Sequence, residues 1–336
     1  MFSFIPNEYL LLALGFLLLI KGGDWFVDAA TSIAKRFHLP ELLIGATVVS
    51  IGTTLPEVMT SVIGAVSNNG SASFGNAIGS IICNTSLIAA LTIAIKPAKA
   101  DRKSLIFPVC FFFGAAAAFS IFSYAFGKFE RWMGILLLCA FVAYIVINVL
   151  NMKKNPTEAE ESELECEIAE SGSSLAVLKD IGVLIAAIAV IALGADVAVA
   201  NISFVALSLG VPPSVVNTTI LALATSLPEL VTAIAALLKG HGALSLGNII
   251  GANIFNIVLV SGASFAISPY AVPIDATFLK MNASLLFTLP LAIGAMLLLT
   301  IPPIISRKLS RWQGITLLGL YGAYCVLLYA ILPNFP

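Results

Sequence analysis

Residues 53–84, TTLPEVMTSVIGAVSNNGSASFGNAIGSIICN, align without a gap onto residues 225–256, TSLPELVTAIAALLKGHGALSLGNIIGANIFN. The offset is 172, and 13 of the 32 positions are identical. The same offset extends upstream, carrying Gly22 and Asp24 onto Gly194 and Asp196, and Pro40 onto Pro212. Self-similarity at a fixed spacing marks a fold built from a repeated unit. The surroundings of both copies are strongly apolar. Of the 336 residues, 59% are hydrophobic and 10% charged, against about 25% charged in an ordinary soluble domain. A chain of this length cannot hide so much apolar surface in a dry core. Its expected solvent and partner is a lipid bilayer.

A helix that crosses the hydrocarbon needs about 20 predominantly apolar residues. Apolar runs between polar breaks predict ten such spans, near 9–30, 40–67, 71–95, 104–124, 131–151, 175–203, 212–239, 243–268, 281–302 and 312–332. One long polar insert interrupts them, with seven glutamates between Glu158 and Glu170. The expected organisation is a first five-helix repeat over 1–151, an acidic linker over 152–174 and a second repeat over 175–336. An odd number of spans per repeat turns the second copy upside down in the membrane, and inverted repeats meet at a site near the midplane. The predicted fold class is therefore an all-α polytopic membrane protein, ten transmembrane helices in two inverted-topology repeats.

Charge in the loops orients the chain. Thirteen Lys and Arg fall on one side, among them Lys35, Arg36, Lys153 and Arg311, and three on the other, Lys128, Arg131 and Lys280. Positively charged loops stay cytoplasmic. That places the linker in the cytoplasm and both termini outside it, in a cell membrane. No cleavable signal peptide stands out, because the apolar segment Leu10–Ile20 runs on into a helix that resembles a later internal one. The five cysteines have no metal-type or disulfide-type spacing and read as small hydrophobes. No basic, aromatic-laced stripe is present, so no nucleic-acid partner is expected.

Within this apolar frame Glu57 and Glu229 are the two acids placed well inside helices, at equivalent positions of the repeats. An ionised carboxylate at membrane depth needs a partner, a cavity or an ion. No Lys or Arg occupies either repeat core. In Gly52-Thr53-Thr54-Leu55-Pro56-Glu57 the proline lacks the N–H that would bond the Gly52 carbonyl, so the helix should kink there and free backbone oxygens. Irregular backbone is tolerated at this depth where it lines protein or a watery cavity. Ala224-Thr225-Ser226-Leu227-Pro228-Glu229 repeats the arrangement. The next span adds Gly75-Asn76-Ala77-Ile78-Gly79-Ser80 with Asn84, and its mate Gly247-Asn248-Ile249-Ile250-Gly251-Ala252 with Asn256. The glycines let helices approach closely, and the polar residues at one-turn spacing suit oxygens turned toward the glutamates. The donor set is carboxylate, hydroxyl, amide and carbonyl oxygen, which suits hard cations rather than zinc or copper. Two carboxylates match one Ca²⁺ in charge, and calcium accepts six to eight flexible oxygen ligands. Sodium takes the same oxygens, so the two ions can compete for one centre.

These motifs resemble the cation/calcium exchanger superfamily, specifically its prokaryotic sodium/calcium exchanger branch. The resemblance covers nearly the whole chain and is sharpest over 45–91 and 217–263. It implies the sodium/calcium exchanger fold and a secondary antiporter of Ca²⁺ and Na⁺, carried as substrates, with no covalently bound cofactor. It implies that Glu57 and Glu229 ligate calcium together with the backbone oxygens of Thr53 and Thr225. Thr54, Ser80, Thr225 and Ser226 would help hold sodium with the carbonyls of Ser50 and Ala222, and Asn84 and Asn256 would complete the centre. The first and sixth helices would slide past the rest to alternate access, their glycines Gly22, Gly23 and Gly194 suiting a thin sliding interface. Two departures bear on sodium stoichiometry: Ala252 stands where the family pattern commonly has serine, and Asn256 where some members carry aspartate. A calcium/proton or other divalent-cation/proton exchanger on the same scaffold is the alternative. A buried acid–base enzyme is the reading from another class, though the serine–histidine, metal–histidine or arginine groups that such chemistry needs do not accompany the pair.

Overall fold

The computed structural model describes residues 7–37, 39–154, 174–208, 225–272, 277–278 and 281–327. The apolar runs form helices. The first is α1 (Asn7–Arg36). Next come α2 (Glu41–Thr53) and α3 (Leu55–Val66), the two arms of one span bent by 46°. The first half ends with α4 (Ala72–Ile95), α5 (Arg102–Phe126) and α6 (Arg131–Lys154). The second half holds α7 (Ser174–Ser208), α8 (Leu227–Lys239), α9 (Gly242–Ile267), α10 (Ser284–Ser306) and α11 (Arg311–Val326). Among the described residues seven helices are long and apolar enough to cross a membrane, and the bent α2–α3 pair makes an eighth. The other two expected spans, 212–239 and 312–332, are described only from Thr225 and only as far as Leu327. Most of the expected linker, 155–173, lies outside the described residues, as do Ala222 and Pro212.

Contacts across the bundle define two faces. At the Arg36 face, the end of α1 meets the start of α7 through Arg36 Nε and Asp180 Oδ2, 2.7 Å apart, and Lys99 bridges to Lys308. At the opposite Asn7 face, β1 (Lys128–Phe129) pairs antiparallel with β2 (Tyr270–Ala271). From Glu41 the α2–α3 span runs toward the Asn7 face, while α8 runs toward the Arg36 face and ends at Lys239. The two copies of the repeat therefore point in opposite directions.

Their local structure is the same. Leu55 and Leu227, 172 apart, both open a helix with proline in its first turn. The α-helical stretch Gly70–Cys83 is matched by Gly242–Phe255, and the π-helical turns Asn84–Ala89 and Asn256–Val260 follow at the same offset. Even the turn before each is equivalent, with positive φ at Asn68 (56°) and at Gly240 (90°).

Helices α1 and α7 pack along each other and share an apolar cluster that includes Leu19, Phe26, Leu184 and Ile191. Most of the remaining helices gather around a larger core with Phe74, Phe112, Tyr144 and Phe255. The α1–α7 contact is thin at its glycines. A Cβ added to Gly194 would stand 2.9 Å from Leu18 Cβ, and one added to Gly22 would stand 2.7 Å from Ile191 Cγ1. Gly22 and Gly194, expected where the pair slides past the rest, lie inside the pair, whereas Gly23 faces Val231 of α8, where an added Cβ would stand 2.7 Å from Cγ1. With 3.6 residues per turn, adjacent residues point about 100° apart and so meet different neighbours. Leu17, Ile63 and Leu238 are among many large apolar side chains on the outer surface. In water such a surface would be an aggregation liability; lipid covers it.

Candidate functional site

The helix breaks fall where the prolines foretell them. Thr54 has φ −83° and ψ −2°, and Ser226 has φ −92° and ψ 6°, the sparsely populated bridge region where many site residues sit. Each break starts a new helix in the middle of the bundle, with Glu57 and Glu229 in the first turns. The positive ends of two helix dipoles therefore lie beside the two carboxylates. Helix α3 packs against the π-helical turn of the second repeat at Asn256, and α8 against that of the first at Asn84. This exchange sets each helix break beside the asparagine turn of the other repeat. Both are fully buried.

What surrounds them is unusual for a protein interior. Both oxygens of Glu57 and of Glu229, both amide atoms of Asn84 and of Asn256, and the hydroxyls of Thr54 and Ser226 are buried without a hydrogen-bond partner among the described residues. These six residues supply ten of the fifteen such atoms described. A buried polar group left unsatisfied costs about 1–3 kcal/mol, and more when charged. Native proteins keep few of them, and concentrated ones need a ligand or a function. Neither glutamate belongs to a salt bridge among the described residues. No group of three or more His, Cys, Asp or Glu occurs among the described residues. The donors are two carboxylates and neutral oxygens, a set suited to a hard cation.

The other expected site residues are arranged differently. Ser80 is buried, and Thr53 and Thr225 reach a cavity wall. The Ser50 carbonyl accepts the Thr54 N–H at 3.0 Å, and its hydroxyl donates between the Gly45 and Asn248 carbonyls, 2.7 and 2.9 Å away. Ala252 is fully buried and brings no hydroxyl. The Ala222 carbonyl lies outside the described residues.

Asn76 and Asn248 depart from the expectation that their amides turn toward the glutamate carboxylates. Asn76 Nδ2 donates to the Glu57 carbonyl at 2.9 Å and to Ser61 Oγ at 2.8 Å. Asn248 Oδ1 accepts from Thr53 Oγ1 at 3.1 Å, and its Nδ2 donates to Thr232 Oγ1 at 3.0 Å. Asn248 thus ties the two repeats together next to the centre. Its identity with Asn76 at offset 172 was the available signal; its partners in the other repeat, Thr53 and Ser50, far away in sequence, were not. The glycines beside it do seat helices closely: Gly247 lies against Leu42, and Gly251 against Ala46 and Ser50 of α2. For Gly75 and Gly79 the equivalent partners, 214–222, lie outside the described residues.

A cavity of about 900 Å³ opens between α3 and α7 on the Asn7 side and reaches Thr53 and Thr225. Its walls include Met59 and Pro56 of α3 and Ile188, Ala192 and Asp196 of α7. At the Arg36 side the equivalent helices, α8 and α1, lie against each other instead. The two repeats therefore differ here among the described residues: a cavity separates α3 from α7, while α8 and α1 are in contact.

Comparison with known proteins agrees with this geometry. The sodium/calcium exchanger protein family matches residues 7–150 and 179–330. The sodium/calcium exchanger MaX1 of Methanosarcina acetivorans is 33% identical over 97% of this chain and 100% of its own length. An uncharacterized membrane protein of Methanocaldococcus jannaschii, MJ0091, is 32% identical over 92% of this chain and 93% of its own. Among solved structures, the sodium-calcium exchanger NCX_Mj soaked with Na⁺ and Sr²⁺ superposes with a TM-score of 0.78 at 30% identity, covering 95% of this chain and 98% of that one.

Proposed function

Because the chain belongs to the sodium/calcium exchanger family, a family of multi-pass membrane transporters and not of enzymes, we propose that it exchanges Ca²⁺ for Na⁺ by alternating access at the centre around Glu57 and Glu229. The observation that carries this reading is the set of ten buried, unpartnered polar atoms drawn from both repeats, with no basic side chain to neutralise them. Two carboxylates balance one calcium ion, and the hydroxyl and amide oxygens complete a flexible shell of the kind calcium accepts. In this reading Glu57 and Glu229 hold calcium with the backbone oxygens of Thr53 and Thr225. Thr54, Ser80, Thr225, Ser226 and the carbonyls of Ser50 and Ala222 serve sodium, and Asn84 and Asn256 close the centre. Sodium ions that replace calcium occupy the same carboxylates, so the two substrates exclude each other. With neither bound, two bare charges would have to cross the hydrocarbon, which is costly; loaded forms are the ones that switch.

The moving part in this proposal is the α1–α7 pair, whose close contacts at Gly15, Gly22 and Gly194 favour its motion as one body. The two repeats are taken as 1–151 and 175–336 with 152–174 between them. By the excess of Lys and Arg, the Arg36 face is cytoplasmic and the cavity opens outward.

Calcium-isotope flux in proteoliposomes, with sodium and proton gradients imposed separately, tests the proposal. The expected result is uptake only against an opposing sodium gradient. Uptake driven by a pH gradient and indifferent to sodium would replace it with a calcium/proton exchanger, a question that Ala252 and Asn256 make pointed.

A further inference from the structure

We propose that Asp196 collects cations at the entrance that is open in this structure, and that Asp24 is its counterpart for the opposite entrance. The inference rests on the exchanger reading and adds to it a residue outside the coordinating centre. Asp196 is the one ionisable side chain among the described residues lining the cavity between α3 and α7. The segment 209–224, which follows α7 in the chain, carries none either. Asp196 is exposed and has no ion-pair or hydrogen-bond partner among the described residues.

Its depth makes the exposure informative. Asp180 marks the Arg36 face through its contact with Arg36. Asp196 lies sixteen residues further along the helix, about 24 Å at 1.5 Å per residue, which is inside a hydrocarbon layer of about 30 Å. An unpaired carboxylate there must face water, and the cavity is the water it can face. A single negative charge in a cleft with low-dielectric walls focuses the field along it. Such steering raises local cation concentration and association rates by about 10–10³, and a divalent ion gains more than a monovalent one.

The inverted repeat supplies the second observation. Asp24 is equivalent to Asp196 at offset 172 and lies on α1 toward the Arg36 face. There Lys239 covers it: Nζ donates to the Asp24 carbonyl at 2.9 Å and to Asp28 Oδ1 at 2.7 Å, and lies 3.7 Å from Asp24 Oδ1. The positions equivalent to Lys239 and Asp28 are Ser67 and Ala200, so no corresponding lysine can cover Asp196. Asp196 has no partner among the described residues, whereas Asp24 shares the Lys239 ammonium with Asp28.

The test is sided calcium flux in right-side-out and inverted membrane vesicles, each driven by sodium. Asp196→Asn should raise the KM for calcium arriving from the Asn7 face about threefold to tenfold, with maximal rate and the opposite face little changed. Asp196→Glu should restore it, and Asp24→Asn should act only from the Arg36 face. In the unchanged protein, that KM should rise with ionic strength because the attraction is screened. An Asp196→Asn effect equal on both faces, or a KM at the Asn7 face indifferent to salt, would overturn the proposal even if one variant failed to fold. Glu57→Gln in the same vesicles separates the two readings. If it transports normally the exchanger reading fails; if it is dead and Asp196→Asn shifts nothing, only the collector role fails.

Discussion

At the Arg36 face α1 lies against α8, with Gly23 seated on Val231, whereas the equivalent residues at the Asn7 face, Ala195 and Met59, both border an open cavity of about 900 Å³. The two repeats agree in their helix starts, their π-helical turns and their positive-φ corners. Identical local structure therefore coexists with opposite packing. The difference lies in how α1 and α7, antiparallel and bound to each other, lean on the rest of the bundle. In the proposed exchange, a pair that leans one way would close one entrance and open the other, as alternating access asks of an inverted repeat.

This comparison can be broken at several points. The largest effect is expected at the centre, where the repeats contribute equally: Glu57→Gln and Glu229→Gln should each abolish sodium-driven calcium flux. Appreciable flux in one but not the other would show that the halves are not equivalent there. Next is the wedge. Gly23→Leu adds a side chain where a Cβ alone would stand 2.7 Å from Val231 Cγ1, and overpacking of this kind costs about 1–3 kcal/mol. It should push α1 off α8 and shift the balance of open faces about 5–150-fold. Ala195→Leu, pointing into the cavity, should do much less. Labelling of single cysteines at the two faces would read the shift.

Smaller effects are expected where stability rather than access is at stake. Asn248→Ala takes from the buried Thr53 hydroxyl its acceptor and from Thr232 one bond of its set, the one to Pro228 remaining, and should lower unfolding free energy by about 1–3 kcal/mol. Asn76→Ala removes bonds within the first repeat at a half-buried position, for about 0.5–1.5 kcal/mol. Thermal unfolding in detergent should rank them in that order, and the reverse order would remove Asn248 as the tie between repeats. The smallest change is Lys239→Ser, which copies the residue of the other repeat. Its partners are partly exposed, so the pair is worth about 0.2–1 kcal/mol. A modest, salt-sensitive shift toward opening at the Arg36 face is expected in the same labelling experiment.

Much of this was written locally. The offset of 172, the break ahead of Pro56 and Pro228, and two acids in otherwise apolar helices are all readable along the chain, because helix boundaries and burial follow from residue type and spacing. Inversion follows from counting five spans per half. The partners of Asn248 and the turn of Gly23 toward α8 were not readable. They depend on how helices distant in sequence cross and rotate, and several packings satisfy the same apolar pattern. The π-helical turns at Asn84 and Asn256 likewise have no spacing signature here; they appear where those asparagines lie buried among helices of the other repeat.

Residue type and spacing along the chain set a bilayer protein with a repeated, inverted architecture and two equivalent acids inside apolar helices. The separation of α3 from α7, the contact of α1 with α8 and the lysine beside Asp24 came with the folded arrangement. The reason is symmetry: two related halves can each take either packing, and the residues that differ between them select one.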